Sequence, residues 1–562
     1  MIKDDLTIVL AGEAGQGIQS IETILVGVLK SGGYNIYATK EYMSRVRGGV
    51  NSTELRISSK PVRAHRDKID ILIPLNSESI PHLEKRISKD TAVLGDNVVV
   101  KYDGMINIPF QRIASEFGNP LFANSVAVGV ICGLLKVDKE ILNGSIKKKF
   151  AKKDEEVINK NIKAAGSGYE IGKDMLEDKI LEIEIKKDSK VKEQVLLAGS
   201  DAVALGAMAG GCNCAFSYPM TPGTSVFTAF AFFSKEYNII AEQAEDEIAA
   251  INMALGAWYA GARAIVSTSG GGFALMTEGI SLSGMTETPA VIHLSQRPGP
   301  ATGLPTRTEQ GDLNLVLYAG HGTFPRIILA PGDTVQAFTL AQKAFNLADK
   351  FQVPVFILTD QYFVDAYYNV PVLRVEGCEI EKFIIKTQKG YKRYALTENG
   401  ISPRGIPGYG EGLVCVDSDE HDETGRITED LDGVRVPMAD KRMKKLEEIQ
   451  KEVVEPELNG PENYKKLVVG WGSTYTAIKE AMEAIGDKEA AFLHFSQVYP
   501  FHSKAAGYLK KAEKIIAVEN NQTGQLADFI TQQTGIKISS RILKYNGMAF
   551  SVEELVEKLK NI

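Results

Sequence analysis

Four acids, Glu242, Glu245, Asp246 and Glu247, precede a run, Ile248–Ala257, whose one polar side chain is Asn252. Acids in a first helical turn are favoured by the helix dipole, and that accounts for most of them. Glu247 differs because it leads directly into Ala249, Ala250, Ala254 and Ala257, small residues that can pack closely against a neighbour. A carboxylate at the edge of such an apolar site can bond a buried nitrogen heterocycle. Upstream stands "YPMTPGT", Tyr218–Thr224, a rigid turn that serves either as an ordinary surface turn or as a ligand holder. Near the start, "GEAGQG" places Gly12, Gly15 and Gly17 between a predicted strand and helix, where backbone N–H groups suit a diphosphate. The spacing is not the dinucleotide fingerprint, and a plain tight turn explains it equally well. "SRVRGG" sets Arg45 and Arg47 beside two glycines, either as guanidinium forks for phosphate or as a solvated edge. Together the two features point to an anionic, phosphate-bearing ligand in the first block. His321 in "GHG" and His421 in "DEHDE" suggest a cation, but a solvated polar insertion is the simpler reading for His421. Cys212 and Cys214 read as small packing residues under the turn.

These residues need elements to hold them. "LTIVLAGEAGQGIQSIETILVGVLKSGG" predicts strand, loop, helix and glycine stop. Leu176–Gln194 is charge-rich and predicts a linker. From Asn238 onward the apolar runs "NIIA", "RAIVSTS", "PAVIHLS", "RIILAP" and "PVFILTD" alternate with helical segments, which predicts a mainly parallel sheet covered by helices. Residues 386–461 are polar and break that rhythm. A last α/β block begins at "KLVVGWGST". The expected fold class is α/β, in three α/β domains spanning residues 1–180, 193–385 and 462–562, with the 386–461 insertion between the last two.

The chain has 562 residues, 44% hydrophobic and 24% charged, and a net charge of −7. This size predicts several cores, and the acidic balance argues against a nucleic-acid or anionic-membrane partner. The first ten residues are too short and acidic for a signal peptide, and no apolar run is long enough for a membrane span. The five cysteines are scattered and form no C-x-x-C pair, which predicts a reduced, cytoplasmic setting and no cluster or zinc site in this chain.

"YPMTPGTS", "EDEIAAINMALGA", "STSGGGFALMTEGI", "RPGPATGLPTRTEQGDL" and "YAGHGTFPR" together resemble the alpha chain of 2-oxoacid:ferredoxin oxidoreductases. "AGEAGQGIQS" and "EYMSRVRGGVNSTELRIS" resemble the gamma chain, and "DEHDETGRITED", "VVGWGSTY" and "VENNQTGQL" are similar to the fused gamma–alpha type of the 2-oxoglutarate branch. The resemblance runs through nearly the whole chain in the family's order. It implies a gamma-type domain, a thiamine diphosphate pyrimidine-binding domain and a transketolase C-terminal-like domain.

The activity it implies is oxidative decarboxylation of a 2-oxoacid with CoA, giving acyl-CoA and CO2, with electrons passed to ferredoxin. It implies Glu247, nine residues before Gly256, as the carboxylate that bonds the aminopyrimidine of thiamine diphosphate. Tyr218, Pro219, Ser269, Gly270 and Gly271 would line the cofactor. Thr221, Arg297 and Thr306 would bind the 2-oxoacid; on the residues alone, Arg297 before Pro298 reads as a solvated loop arginine. Gly12, Gly15, Gly17, Arg45 and Arg47 would meet the phosphates of CoA. Met220 and Gly271 depart from the family's common isoleucine and proline. No "GDG" occurs, and "NN" at Asn520–Asn521 lies in the last block. Mg2+, the diphosphate grip and the [4Fe-4S] cluster are therefore expected in a separate beta subunit, in a heterodimer or a dimer of heterodimers. The fused arrangement favours 2-oxoglutarate as the substrate, with pyruvate or a branched-chain 2-oxoacid as alternatives. A transketolase-like enzyme and a regulatory CoA- or thiamine-binding subunit are the alternative classes.

Overall fold

The computed structural model describes residues 2–13, 16–44, 49–375, 379–538 and 540–562. The chain divides into two compact units. The first comprises Met1–Leu197, Ala366–Leu373 and Ser551–Glu554; the second holds Ala198–Asp365, Arg374–Phe550 and Leu555–Ile562.

The first unit is built on the Asp5–Glu13 strand, which pairs antiparallel with Val50–Ser58 and parallel with Ile71–Pro74. The Ile18–Ser31 helix buries Ile18, Ile21, Leu25, Val28 and Leu29. That helical spacing of apolar residues is why it packs on the sheet. A second pair of helices, Ala123–Leu134 and Glu155–Glu177, meets through glycines. A Cβ on Gly129 would fall 2.0 Å from the Ala165 carbonyl, and one on Gly168 would fall 2.0 Å from the Val126 carbonyl. The predicted linker carries local structure: Ile183–Glu184 pairs parallel with Ile2–Lys3, so its charged residues edge a small sheet.

The second unit contains a seven-stranded and a five-stranded sheet. In the larger, the strands run Ile240–Gln243, Cys214–Ser217, Ala264–Thr268, Ala290–Gln296, Pro354–Asp360 and Ile327–Leu329, all parallel, with Gln497–Tyr499 antiparallel at the edge. The central strands Ala264–Thr268, Ala290–Gln296 and Pro354–Asp360 are buried along their whole length, so they are mostly apolar, with His293 and the polar residues at their carboxyl ends as exceptions. The chain leaves Cys214–Ser217 toward one edge and Ala264–Thr268 toward the other. The gap between these two strands is the sheet's switch point, where the carboxyl ends leave a crevice.

The predicted polar insertion holds a helix, Val436–Gln450. Its Lys441 and Lys445 are buried and each meets a different oxygen of the buried Glu287 at 2.5 Å. Arg393 donates to the Glu287 carbonyl at 2.7 Å. Burial alone would raise the Glu287 carboxyl; Lys445, Lys441 and Arg393 overcome it and hold it well below the carboxylate range.

Candidate active site

Strand ends at the switch point carry most of the predicted residues. Tyr218–Thr221 follow the Cys214–Ser217 strand, and Ser269–Gly272 follow Ala264–Thr268. Arg297 follows Ala290–Gln296, and Glu247 opens the helix Glu247–Tyr259 after Ile240–Gln243. Because the strands are parallel, these four loops share one edge of the sheet.

Glu247 is 3% exposed, and among the described residues its buried Oε1 has no hydrogen-bond partner. The helix start is fixed by Asp246, whose side chain accepts from the Ala249 N–H at 2.6 Å. The carboxylate therefore has no capping duty of its own. It faces Gly272, where a Cβ would lie 2.6 Å from Glu247 Oε1 and 2.2 Å from Thr268 Oγ1. Glycine is required there for the carboxylate to reach its place.

The turn after Tyr218 is clamped onto the next strand. A Cβ on Gly223 would fall 2.5 Å from the Thr268 carbonyl. Ser267 Oγ donates to the Gly223 carbonyl at 2.7 Å and lies 2.9 Å from His293 Nδ1; His293 Nε2 lies 2.9 Å from Thr359 Oγ1. Burial lowers His293 to about 3, so this ring is neutral. With the Ser267 proton on Gly223, Nδ1 carries the ring proton and Nε2 accepts from Thr359. The sequence reading missed this support, since a histidine within "PAVIHLS" looks like any core residue.

Arg297 Nη1 donates to the Thr221 carbonyl at 2.6 Å, which joins two predicted substrate residues. Its Nε is buried and has no partner among the described residues. Burial lowers the guanidinium against the opposing pull of Asp312. Ser269 Oγ and Asp312 Oδ2 are likewise buried with no partner among the described residues. Gly270 is buried, and its Cβ position would coincide with the Asp312 carboxylate, within 2.3–2.5 Å. Gly271 is exposed, and its nearest neighbours, the Ala301 carbonyl and Met220 Sδ, are 3.8 Å from a Cβ. Tyr218 and Pro219 are exposed, while Thr306 is half-buried in the loop from Arg297 to Asp312. That loop is braced by the last α/β block. Gln310 Nε2 donates to the Trp471 carbonyl at 2.8 Å, and Asn521 Nδ2 donates to the Gln310 carbonyl at 3.1 Å. Asn520–Asn521 thus hold the loop from Arg297 to Asp312.

In the first unit, Gly15, Arg45 and Arg47 lie outside the described residues. Gly17 has φ +82°, and its Cβ would meet Asn124 Nδ2 at 2.3 Å; a Cβ on Gly12 would meet Gln16 Oε1 at 2.4 Å. Gly17 opens the helix in the left-handed conformation, and Gly12, within the strand, leaves room for the Gln16 side chain. A cavity of about 450 Å3 beside Gly17 is lined by Ile21, Ile24, Phe122, Val128, Phe150 and Lys153, among others. His421 is buried against the Tyr394 ring at 3.9 Å, with Nδ1 on the Asp419 carbonyl at 2.9 Å, so it is a packed core histidine. His321 is exposed, and its N–H donates to Ser281 Oγ at 2.9 Å. Cys212 and Cys214 are buried, and burial pushes both thiols up.

A family described as pyruvate flavodoxin/ferredoxin oxidoreductase, thiamine diphosphate-binding, matches residues 205–441. This span contains every residue of the switch-point site. A second, pyruvate ferredoxin/flavodoxin oxidoreductase, matches residues 7–171. The alpha subunit of a Sulfolobus 2-oxoacid:ferredoxin oxidoreductase is 34% identical, over 99% of this chain and 96% of its own length. The chain belongs to the 2-oxoacid:ferredoxin oxidoreductase alpha-subunit family. The 2-oxoglutarate oxidoreductase subunit KorA of Mycobacterium tuberculosis is 26% identical over 98% of this chain and 90% of its own. The 2-oxoglutarate:ferredoxin oxidoreductase of Magnetococcus marinus, solved with 2-oxoglutarate, coenzyme A and succinyl-CoA, superposes with a TM-score of 0.92. It is 31% identical and covers 100% of this chain and 99% of its own. As a member of this family the chain is an oxidoreductase subunit with a thiamine diphosphate-binding region. Among the described residues no helix is long and apolar enough to cross a membrane.

Proposed function

We propose that this chain holds the aminopyrimidine end of thiamine diphosphate and the 2-oxoacid, in an enzyme that converts 2-oxoglutarate and CoA to succinyl-CoA and CO2. Two electrons pass to two ferredoxins and one proton is released. The observation that carries the reading is the buried, unpartnered Oε1 of Glu247, set against the Gly272 cradle on the edge that also bears Arg297. An unpaired buried polar oxygen is costly unless a ligand completes it. A ring nitrogen of the aminopyrimidine, sharing a proton with the carboxylate, would complete it, so the site fits that group.

When bound, thiamine diphosphate supplies the carbon nucleophile and electron sink for decarboxylation. Glu247 accepts the ring N–H bond and holds the proton balance of that ring; its helix start, fixed by Asp246, orients it. Gly271 is open and carries no side chain, so the turn would admit the ring closely there, while Gly270 and Gly272 leave room for Asp312 and Glu247. Tyr218 and Pro219 border it from the neighbouring strand end. Arg297 keeps Nη1 on Thr221 and presents Nε to the 2-oxoacid carboxylate, with the Thr221 and Thr306 hydroxyls as further donors. Burial around Arg297 strengthens that charge-assisted bond.

A beta subunit brings Mg2+, the diphosphate grip and the [4Fe-4S] cluster, in a heterodimer or a dimer of heterodimers that passes electrons to ferredoxin in the cytoplasm. Two features support it: the sequence lacks "GDG", and the Glu247 helix exposes Ile248, Asn252 and Gly256 at four-residue spacing. CoA phosphates bind at Gly12, Gly15, Gly17, Arg45 and Arg47. The full-length likeness to the M. marinus enzyme favours 2-oxoglutarate over pyruvate and branched-chain 2-oxoacids. The test is viologen reduction by the complex co-purified with its partner, across a 2-oxoacid panel. CoA-dependent reduction fastest with 2-oxoglutarate is expected; carbon-unit transfer without viologen reduction would favour a transketolase-like enzyme.

A further inference from the structure

Asp312 stands at the start of the short Leu313–Tyr318 helix, yet its side chain caps nothing. Its backbone N–H donates to Gln296 Oε1 at 3.0 Å, which fixes the residue beside the end of the Arg297 strand. The carboxylate fills the space of the missing Gly270 side chain, so the cofactor-facing loop and Asp312 are fitted to one another. Its Oδ2 is buried without a partner, as is Arg297 Nε.

The geometry points to Asp312 as a positioning residue for the 2-oxoacid carboxylate, competing for Arg297 when ionised and releasing it when protonated. This rests on the reading of Arg297 as the carboxylate anchor. The charged groups that face Asp312 are Arg297, from the loop after Ala290–Gln296, and Glu309, from its own loop. Ser269, Gly270 and Gln296 bring no charge. Burial pushes the Asp312 carboxyl up to about 7, Glu309 adds to the rise, and Arg297 opposes it. Near neutral pH the site therefore contains both forms. The ionised form places a second negative charge beside the incoming carboxylate and draws Arg297 toward itself; both effects weaken substrate binding.

The test is the 2-oxoacid KM of the assembled enzyme at saturating CoA, measured by viologen reduction from about pH 6 to about pH 8.5. In the native enzyme KM should rise about tenfold through this range, the size of a coupling worth one pKa unit. In Asp312→Asn it should stay flat, near the native acidic value, because the isosteric amide cannot ionise. Glu309→Gln should move the inflection to lower pH, since the charge that raises Asp312 is gone. A purely structural role would move neither. The inference is overturned if Asp312→Asn keeps the native rise, or if Glu309→Gln leaves the inflection in place; should Asp312→Asn fail to assemble, Glu309→Gln decides alone. Arg297→Ala separates the two readings. An unchanged 2-oxoacid KM in that variant overturns the anchor, whereas a raised KM combined with a native rise in Asp312→Asn overturns only the role of Asp312.

Discussion

Glu247 has a buried oxygen with no protein partner, and its replacement isolates one chemical property. Glu247→Gln keeps the shape and one hydrogen bond but cannot hold the proton balance of the ring. Turnover of the assembled enzyme should fall by roughly a hundredfold or more, the usual range for an acid–base group. Near-native turnover in steady-state kinetics would remove Glu247 from the chemistry. Arg297→Ala should lower kcat/KM for the 2-oxoacid roughly tenfold to a hundredfold, matching about 1.5–3 kcal/mol for one charge-assisted bond. A rise confined to the CoA KM would place Arg297 elsewhere. Glu247 stood out in the sequence because it leads directly into an alanine run, and its expected role came from the family resemblance. Asp312 was not, since an aspartate after a glycine reads as an ordinary helix start. Its meaning arises only where Gly270, 42 positions earlier, leaves room for its carboxylate.

The Glu247 helix carries a test of its own. Gly256 is exposed, with nothing within 4 Å of its Cβ position, and lies in line with the exposed Ile248 and Asn252. Gly256→Ala should stabilise the isolated chain by about 0.5–1 kcal/mol, because glycine weakens a helix interior. The same methyl should weaken assembly with a beta subunit seated on that face. Thermal unfolding of the chain and titration with the partner give the two readouts; unimpaired assembly would move the contact elsewhere. A second element prediction concerns the insertion helix. Glu287→Gln leaves Lys441 and Lys445 buried without their counter-charge and should cost about 3–5 kcal/mol in denaturant unfolding at neutral pH. The Glu287 carboxyl lies below its ordinary 4.5, so its contribution is complete above that value and is lost as the pH falls below it. The variant should therefore lose stability less steeply than the native chain below about pH 4.5. The parallel strands were legible because burial along their whole length makes them mostly apolar runs. The Val436–Gln450 helix was not, because Lys441 and Lys445 look like surface charges until Glu287, 154 residues before Lys441, is placed beside them.

At the scale of the whole chain, the second unit brings one strand edge, a carboxylate and an arginine to a single crevice, and the five-stranded sheet braces the loop that carries Arg297 and Asp312. Binding a diphosphate with magnesium draws mainly on charge and metal coordination, and the sequence lacks the "GDG" grip for it. On the proposed function, the site is half of a cofactor site that a beta subunit would complete. The direct measurement is calorimetric titration of Mg2+–thiamine diphosphate into the isolated chain and into the chain assembled with its partner, with iron analysed in both. The isolated chain should be colourless and show no saturable binding at micromolar cofactor, while the complex should be brown and retain the cofactor. Micromolar binding by the isolated chain, or iron bound to it, would contradict the division of labour between the two subunits.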